Sequence, residues 1–326
     1  MLAAYYERQG AAASVLKVGE LPLPEPGPGE VRVRITFSGV NPGDTKKRQG
    51  WLGYGMSARR IVPHSDGAGV VDAIGIGVTR DRLGRRVWIY GAQSGRPFGT
   101  AAEATVVPSA QAVDLPDGVP DQVGAALGIP GITAWRAVFA DGPVVARTVL
   151  VHGVLGAVGS IAAQVARWAG ARVVGSVRRA AQRERVAAHV ASSVVALDHP
   201  DPVAEIRALA PQGIDRVVEV ALSENIELDA AVVSQGAVIA VYGSPKPRLE
   251  LPFWPLLFSN VTLRLLGSDD FPAEAKAEAA RGLTQAVVDG KLRIDAGRVF
   301  ALPDIVTAHE VVERGDTGGR VLVRVS

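Results

Sequence analysis

The sequence predicts an α/β protein that consists of a β-rich domain and a domain with a doubly wound parallel sheet. Three observations support this fold class. Short β-prone runs separated by proline and glycine fill the first third of the 326 residues. From about Asp121 onward, β-prone runs alternate with helical segments, which is typical of βαβ units. Glycines spaced three apart follow the first of these later runs, as in dinucleotide-binding folds.

The first third of the chain contains short β-prone runs, several with a period-two alternation of apolar and polar residues. The runs lie at 3–7, 16–20, 30–38, 69–74, 86–90 and 102–107. Proline and glycine between them, as in residues 22–29, stop helices and set turns. An antiparallel, barrel-like domain fits this pattern.

The period of the apolar residues changes after Asp121, where helical stretches begin. The later β-prone runs lie at 149–151, 172–176, 194–197, 215–220, 236–242 and 261–266. Helical segments separate them, including one near 183–190, and about six strands form a complete doubly wound dinucleotide fold. After Gly267 a polar-faced helix and a mixed α+β pattern follow, and we expect this segment to rejoin the N-terminal domain.

The composition is that of a globular protein, with 48% hydrophobic and 21% charged residues. No apolar run is long enough to span a bilayer, since Pro252 and Pro255 interrupt the most suggestive one. The first residues lack a signal-peptide pattern, so a cytoplasmic location is expected. A formal charge of +2 is too small to indicate nucleic acid, although a pI near 9.0 leaves room for a local basic patch.

The chain contains no cysteine. Disulfides, thiol nucleophiles, iron–sulfur ligation and cysteine-containing zinc sites are therefore excluded. The histidines are His64, His152, His189, His199 and His309. Because they lack the spacing of a metal site, we interpret them as structural or solvated side chains and expect no bound metal.

A glycine turn follows the strand at 149–151, and an amphipathic helix follows the turn. Its glycines are Gly153, Gly156 and Gly159. In such a turn the backbone comes close to a pyrophosphate, and the helix N-terminus points N–H groups at it. The spacing alone leaves a dinucleotide site and an ordinary turn equally open.

The second strand of the parallel sheet ends about 20 residues after the glycine turn, where an NAD site carries an acid for the ribose 2′-hydroxyl. This sequence supplies Ser176, Arg178 and Arg179 there, and no acid. Arginine forks suit a 2′-phosphate, and Arg183 is a third candidate. The sequence therefore favours NADPH over NADH; the alternative is an exposed basic helix start.

Several blocks of the sequence together resemble the medium-chain dehydrogenase/reductase superfamily. They lie, in family order, at 39–45, 63–69, 84–87, 128–137, 149–153 and 317–322. Within the superfamily they are most similar to the zinc-independent quinone oxidoreductases of the zeta-crystallin type. The resemblance implies a GroES-like catalytic domain formed by residues 1–122 and 268–326, and a Rossmann NADP(H)-binding domain over 123–267.

The resemblance also implies that hydride transfer proceeds without a metal. Zinc-dependent relatives carry a catalytic His-Glu pair before the glycines of the 63–69 block, followed by a four-cysteine lobe. This chain has Ser65 and Asp66 in that place and no such lobe, and His64 is offset by one position. The reaction would then rely on proximity, orientation and hydrogen bonds.

The family pattern implies which residues contact the substrate and the cofactor. Substrate orientation falls to Asn41, to Lys46, which stands where several relatives have tyrosine, and to Tyr54. The implied cofactor-binding set is Asn41, Thr133, Gly153, Gly156, Ala157, Val158, Gly159, Ser176, Arg178, Arg179, Tyr242, Gly243, Ser244, Gly267, Ser268 and Arg320. Alternatives stay open for three of them: Asn41 as a turn residue, Thr133 as helix packing and Arg320 as a surface charge.

Two classes of function follow. The first is an NADPH-dependent reductase that passes hydride to a quinone, or alternatively to an enoyl or alkenal substrate with an α,β-unsaturated carbonyl. The second is a non-catalytic NADPH- or RNA-binding or structural protein, because some zeta-crystallin-type relatives have such roles. The basic residues near Arg178 suit RNA, but interleaved aromatic residues for base stacking are missing. We also expect a homodimer through the edge strand near 260–266.

Overall fold

The computed structural model describes residues 1–53, 55–315 and 317–326, and the side chain of Ala296 is not described. The chain divides into two compact units. The first contains Met1–Pro130 and Ile294–Ser326, and the second contains Gly131–Arg293. These boundaries differ from those expected from the sequence: residues 123–130 go with the first unit, and residues 268–293 go with the second.

The elements alternate as the sequence pattern suggests. The strands are β1 (Leu2–Tyr5), β2 (Lys17–Glu20), β3 (Glu30–Val40), β4 (Asp66–Ile74), β5 (Arg86–Ile89), β6 (Ala104–Pro108), β7 (Ala112–Asp114), β8 (Thr148–Val151), β9 (Arg172–Val177), β10 (Ser193–Ala196), β11 (Ile214–Glu219), β12 (Val233–Val241), β13 (Thr262–Leu265), β14 (Ala296–Ala301) and β15 (Arg320–Arg324). The α-helices are α1 (Ala12–Val15), α2 (Pro42–Gln49), α3 (Asp121–Phe139), α4 (Ala157–Trp168), α5 (Pro202–Leu209), α6 (Leu222–Val232), α7 (Phe253–Phe258), α8 (Ala273–Val288) and α9 (Ile305–Arg314). Short 3₁₀ turns cover Trp51–Gly53, Arg80–Arg82, Ser109–Gln111, Ala180–Arg185, Ser268–Asp270 and Leu302–Asp304.

The first unit is built on a largely antiparallel sheet, as expected from the alternating β-prone runs. Its strands pair in the order β14-β15-β3-β4-β5-β7, and β6 also pairs with β3. Only the β14–β15 pairing is parallel among these. Helix α9 packs its buried residues Ile305, Ala308 and Val311 into the same apolar cluster as Val15 and Ile61. The chain after 294 therefore completes the N-terminal domain.

The second unit contains a six-stranded parallel sheet in the order β10-β9-β8-β11-β12-β13. Numbered along the chain within the unit, this order is 3-2-1-4-5-6, the doubly wound arrangement. The predicted helix near 183–190 is wrong, because a 3₁₀ turn over Ala180–Arg185 connects β9 to β10 instead. The strand cores consist of aliphatic side chains such as Leu150, Val174, Val217 and Ile239, as expected when both faces of a sheet are covered.

Close packing explains why residues 268–293 join the second unit. A Cβ added to Gly282 on α8 would collide with the Trp135 ring on α3, so the two helices approach through a glycine. At the end of this segment, the Gln164 side chain donates to the Arg293 carbonyl oxygen at 3.0 Å and accepts from the Arg293 N–H at 2.9 Å. Helix α8 and the loop behind it are thus attached to α3 and α4.

No helix among the described residues is long and apolar enough to cross a membrane.

Candidate functional site

The glycine turn lies at the carboxyl end of the central strand β8. Gly153 adopts a left-handed conformation with φ of +66°, which favours glycine, and Gly156 precedes the first turn of α4. A Cβ on Gly159 would collide with the Gly153 carbonyl oxygen, so the third glycine lets the helix approach the turn. Ala157 and Val158 open α4, and their partial exposure leaves the helix N-terminus accessible to an anion.

Val154 is a bulky residue within the glycine turn, and it points inward. It is 1% exposed, and its methyl groups would lie 2.9 and 3.1 Å from a Cβ on Gly175. Gly175 on the neighbouring strand β9 therefore leaves the space that Val154 fills. The turn accommodates the larger side chain without presenting it to the anion-binding face.

The residues expected to favour NADPH over NADH lie at the end of β9. Arg178 and Arg179 are exposed directly after this strand, which is the neighbour of β8. Ser176 differs from the expectation because it is fully buried, and its hydroxyl is 2.7 Å from His152 Nδ1. Arg183 forms an ion pair with Glu205 at 2.7 Å. The structure thus leaves the two adjacent arginines exposed at this position.

Other expected cofactor contacts also follow strands of the parallel sheet. Tyr242, Gly243 and Ser244 follow β12, and Gly267 and Ser268 follow β13. The carboxyl ends of parallel strands lie at one edge of a sheet, so these segments share the edge that carries the glycine turn. Burial raises the pKa of the Tyr242 phenol, and the nearby Glu219 carboxylate raises it further.

Thr133 belongs to helix α3 and is buried. It lies five residues after Gly128, where the backbone leaves the helical conformation with φ of 7° and ψ of −131°. A Cβ on Gly128 would clash with the Asp66 carboxylate, so the kink lets this carboxylate approach the helix backbone.

In the first unit, Asn41, Asp66 and Arg320 form a closed set of hydrogen bonds. Asn41 Nδ2 donates to Asp66 Oδ2 at 2.7 Å, and Arg320 donates to Asn41 Oδ1 and to Asp66 Oδ2, each at 2.6 Å. Arg320 is only 4% exposed, so the surface-charge alternative is wrong. We call these three residues the Asp66 cluster.

Asn41 is fixed at its backbone as well as at its side chain. It precedes α2, and its N–H donates to Asp44 Oδ2 at 2.7 Å, an arrangement typical of helix N-termini. Burial raises the pKa of Asp44 to about 7, with the Asn41 N–H opposing this shift. The turn-residue interpretation of Asn41 is therefore correct in part, and the same geometry holds its amide in one orientation.

The remaining substrate candidates lie on or after α2. Lys46 is exposed, and its ammonium group lies 4.6 Å from the centre of the Trp51 ring. Such a cation–π contact holds a flexible lysine in place. Tyr54 lies outside the described residues.

Comparison with known proteins agrees with this geometry. Residues 27–117 match the family described as alcohol dehydrogenase GroES-like domain, and residues 157–280 match the family described as zinc-binding dehydrogenase. A quinone oxidoreductase of Rattus norvegicus is 32% identical over 234 residues, which cover 70% of this chain and 69% of the rat protein. The chain belongs to the quinone oxidoreductase family of medium-chain dehydrogenase/reductases.

Solved structures of similar proteins share the whole fold. An NAD-dependent alcohol dehydrogenase aligns with a TM-score of 0.90 at 27% identity, and a mycobacterial protein complexed with NADPH aligns with a TM-score of 0.86 at 25% identity. Each comparison covers 100% of both chains. The predicted GroES-like and Rossmann architecture of this quinone oxidoreductase family member is confirmed.

Sequence reasoning missed two buried side-chain groups that contain histidine in this family member. In the first unit, His64 Nε2 is 2.9 Å from His309 Nε2, and His64 Nδ1 is 2.8 Å from the Ser38 hydroxyl. Burial lowers the pKa of both rings, that of His309 to about 3. Both imidazoles are therefore neutral at pH 7.

In the second unit, His152 meets two buried carboxylates. Its Nε2 is 2.9 Å from Asp229 Oδ1 and 3.5 Å from Glu219 Oε2. Within the described residues this is the one set of three His, Asp or Glu side chains whose donor atoms lie within 4.8 Å of one another. Metals accept such donors, but here the imidazole and Asp229 already bond to each other. We call these residues the His152 cluster.

One signal in the sequence could have found this cluster. His152 and Glu219 each stand at or just after the end of a β-prone run, and parallel strands end at the same edge. Asp229 on α6 carries no comparable signal.

Proposed function

We propose that this chain is an NADPH-dependent oxidoreductase that reduces a quinone by hydride transfer without a catalytic metal. The observation that carries the proposal is the glycine turn at the end of β8 beside the exposed Arg178 and Arg179 at the end of β9. The similar proteins named as quinone oxidoreductase, and the mycobacterial structure with NADPH, support it. NADPH, when bound, supplies the hydride, and the protein binds and orients the reactants.

Different residues would bind the pyrophosphate, the 2′-phosphate and the nicotinamide half of NADPH. The N–H groups at the start of α4, beside Gly156 and Gly159, would hold the pyrophosphate. Arg178 and Arg179 would hold the 2′-phosphate through forked hydrogen bonds. Thr133, Tyr242, Gly243, Ser244, Gly267 and Ser268 stay proposed as contacts of the nicotinamide half.

Asn41 is our candidate for orienting the acceptor carbonyl. Asp66, Arg320 and Asp44 hold its side chain and backbone, and one N–H of its amide has no acceptor among the described residues. A donor fixed before the substrate arrives loses little entropy on binding. Lys46 stays a second candidate, because it is exposed on α2, the helix that Asn41 precedes.

The Asp66 cluster supports metal independence. Asp66 stands where the resemblance places the zinc ligands, and the Arg320 guanidinium bonds to it at 2.6 Å. A second cation beside this arginine would be repelled, and Asp66 already accepts hydrogen bonds at both oxygens. The chain offers no cysteine to replace it as a ligand.

We propose a homodimer that forms through β13. This strand ends the sheet order, and Leu265 on it is 72% exposed. Helix α7 just before it exposes Phe253, Trp254 and Phe258, an apolar surface suited to a second copy. Light scattering at micromolar concentration tests the dimer, and a monomer there would rule it out. A cytoplasmic location stays a prediction.

A fluorescence titration tests the choice of cofactor. We expect the wild type to bind NADPH at least about tenfold more tightly than NADH, because only NADPH carries the 2′-phosphate. Replacing Arg178 and Arg179 by alanine should remove this preference. The control is Arg185→Ala, which removes an exposed arginine from the same segment and should keep the preference. Equal affinities for both cofactors in the wild type would refute the 2′-phosphate assignment.

Turnover tests the acceptor. NADPH consumption with 1,4-quinones and with 2-alkenals, measured side by side, should favour the quinones. Faster turnover of the alkenals would replace the quinone by an enoyl or alkenal acceptor. RNA binding without turnover of either acceptor would favour the non-catalytic alternative, against which the pairing of Arg183 with Glu205 already argues.

A further inference from the structure

The His152 cluster lies directly beneath the glycine turn and has no part in the proposed hydride transfer. His152 follows β8, Glu219 ends β11 and Asp229 lies on α6. All three side chains are at most 1% exposed. Burying polar groups costs free energy unless they form hydrogen bonds with one another, so a buried polar cluster calls for a structural or functional explanation.

Hydrogen bonds extend the cluster to the neighbouring elements. His152 Nδ1 is 2.7 Å from the Ser176 hydroxyl on β9. Asn225 Nδ2 donates to both oxygens of Glu219 at 3.1 Å, and the Ala221 N–H donates to Glu219 as well. The cluster thus ties the ends of three adjacent strands, β9, β8 and β11, to helix α6.

The same elements hold the backbone of the turn. The His152 N–H donates to the Val218 carbonyl at 3.0 Å, and the Val154 N–H donates to the Ser176 carbonyl at 3.1 Å. A Cβ on Gly159 would lie 3.1 Å from the His152 carbonyl oxygen, so the first turn of α4 rests on this residue. A shift of the His152 side chain would therefore move the residues proposed to bind the pyrophosphate.

The net charge of the His152 cluster depends on the protonation of His152 and Glu219. Burial lowers the pKa of His152, but Asp229 and Glu219 outweigh this effect and raise it above its ordinary value. Burial raises the pKa of Glu219 to about 7, and His152 opposes this rise. The Tyr242 phenol, directly after β12, also lies near Glu219, and burial raises the pKa of this phenol. Asp229 Oδ2 is buried and accepts no hydrogen bond among the described residues.

Loss of the Glu219 proton adds one negative charge to the buried cluster beneath the turn. Bound NADPH would place its negatively charged pyrophosphate at the same end of the sheet, where an added negative charge repels it.

We propose that the His152 cluster positions the glycine turn and makes NADPH binding depend on a proton held at Glu219. The inference rests on the proposed function, because it takes the turn as the NADPH site. His152, Glu219 and Asp229 act here as positioning residues that touch neither NADPH nor substrate. Binding of NADPH then favours the protonated cluster, and by linkage it takes up a proton above neutral pH.

The test measures the Kd for NADPH between about pH 6 and pH 8.5 in the wild type and in Glu219→Gln. Glutamine imitates the protonated acid. We expect the wild-type Kd to rise about tenfold over this range and the Glu219→Gln Kd to change less than about twofold. The 2′-phosphate of NADPH titrates alike in both experiments, so the difference belongs to the cluster.

Two further variants separate positioning from a general loss of structure. His152→Gln should raise the Kd about tenfold at every pH and leave kcat at saturating NADPH within about twofold of the wild type. Gln164→Met is the matched control, because it removes buried hydrogen bonds to Arg293 in the same unit. It should keep the wild-type Kd and its pH dependence.

Calorimetry of the wild type guards against variants that do not fold. Titration with NADPH at about pH 7.5, in two buffers of different ionisation enthalpy, should show uptake of a substantial fraction of a proton. No uptake, or the same pH dependence in wild type and Glu219→Gln, overturns the inference alone. Stoichiometric binding of zinc at the His152 cluster also overturns the inference, because the metal ion and not a proton would then neutralise the carboxylates. A wild type that binds no NADPH at any pH overturns the proposed function.

Discussion

His64 and His309 in the first unit bond to each other, whereas His152 in the second unit bonds to Asp229 and lies near Glu219. All three imidazoles are buried. Burial lowers the pKa of the first two, while the carboxylates raise the pKa of the third. Equal burial thus accompanies opposite pKa shifts, and the neighbouring charges decide the direction of the shift for a buried histidine.

The carboxylates of the two units differ in the same way. Asp66 in the first unit is paired with Arg320, a cation that does not lose its proton in proteins. Glu219 in the second unit is compensated by an imidazole and by amide donors. The first unit therefore balances Asp66 with a permanent cation, whereas these partners of Glu219 in the second unit include no permanent cation.

Removing the permanent cation should have the largest effect. Arg320→Met leaves Asp66 as an unpaired buried charge, and we expect it to lower the free energy of unfolding by about 3–5 kcal/mol. Urea denaturation at pH 7 measures the loss. Arg314→Met, which breaks an exposed pair with Glu310, should change the same quantity by less than about 0.5 kcal/mol. A comparable loss in both variants would show that the buried Asp66–Arg320 pair stabilises the fold no more than the exposed Arg314–Glu310 pair does.

Acid should destabilise the first unit through its histidines. The pKa of His309 is about 3 in the folded chain, below its ordinary value of 6.5, so the unfolded chain takes up the proton first. Stability is therefore lost as the pH falls below 6.5. Between about pH 7 and pH 5 the wild type should lose about 2 kcal/mol more than His309→Gln. The control His199→Gln changes an exposed histidine, and a wild-type pH profile in His309→Gln would contradict the assignment.

A rise in pH should lower the stability of the second unit through Glu219. The pKa of Glu219 is about 7 when folded, above its ordinary value of 4.5, so the folded chain holds the proton more tightly. Stability is therefore lost as the pH rises from about 4.5 to 7. Between about pH 5 and pH 8 the wild type should lose about 2–3 kcal/mol more than Glu219→Gln. Glu224→Gln on the exposed side of α6 should follow the wild type, and parallel curves for all three proteins would break the comparison.

The sequence predicted much of the second unit because its pattern is local. Six β-prone runs with intervening helices indicate a doubly wound sheet, and the glycines between β8 and α4 mark its central turn. The 3₁₀ turn over Ala180–Arg185 escaped prediction, because its local composition also suits a helix. The attachment of α8 escaped it too, since the approach of Gly282 to Trp135 depends on distant residues.

The two histidine groups escaped prediction for a related reason. His64 and His309 are 245 residues apart, and His152 and Asp229 are 77 apart. Spacing rules detect ligands or catalytic groups on one helix or loop, whereas these pairs form only after strands and helices have packed. The arginines at the end of β9 were predictable because they follow a strand whose position relative to the glycine turn the fold determines.

The ion pair between Asp66 and Arg320 has a consequence for how this protein becomes active in a cell. A metalloenzyme must acquire its ion after folding and competes for it with every other metal-binding protein. Under the proposed metal-free mechanism the cation beside Asp66 is a side chain, so the Asp66 cluster is complete as soon as the polypeptide folds. This proposal predicts that chelators leave the turnover of NADPH unchanged.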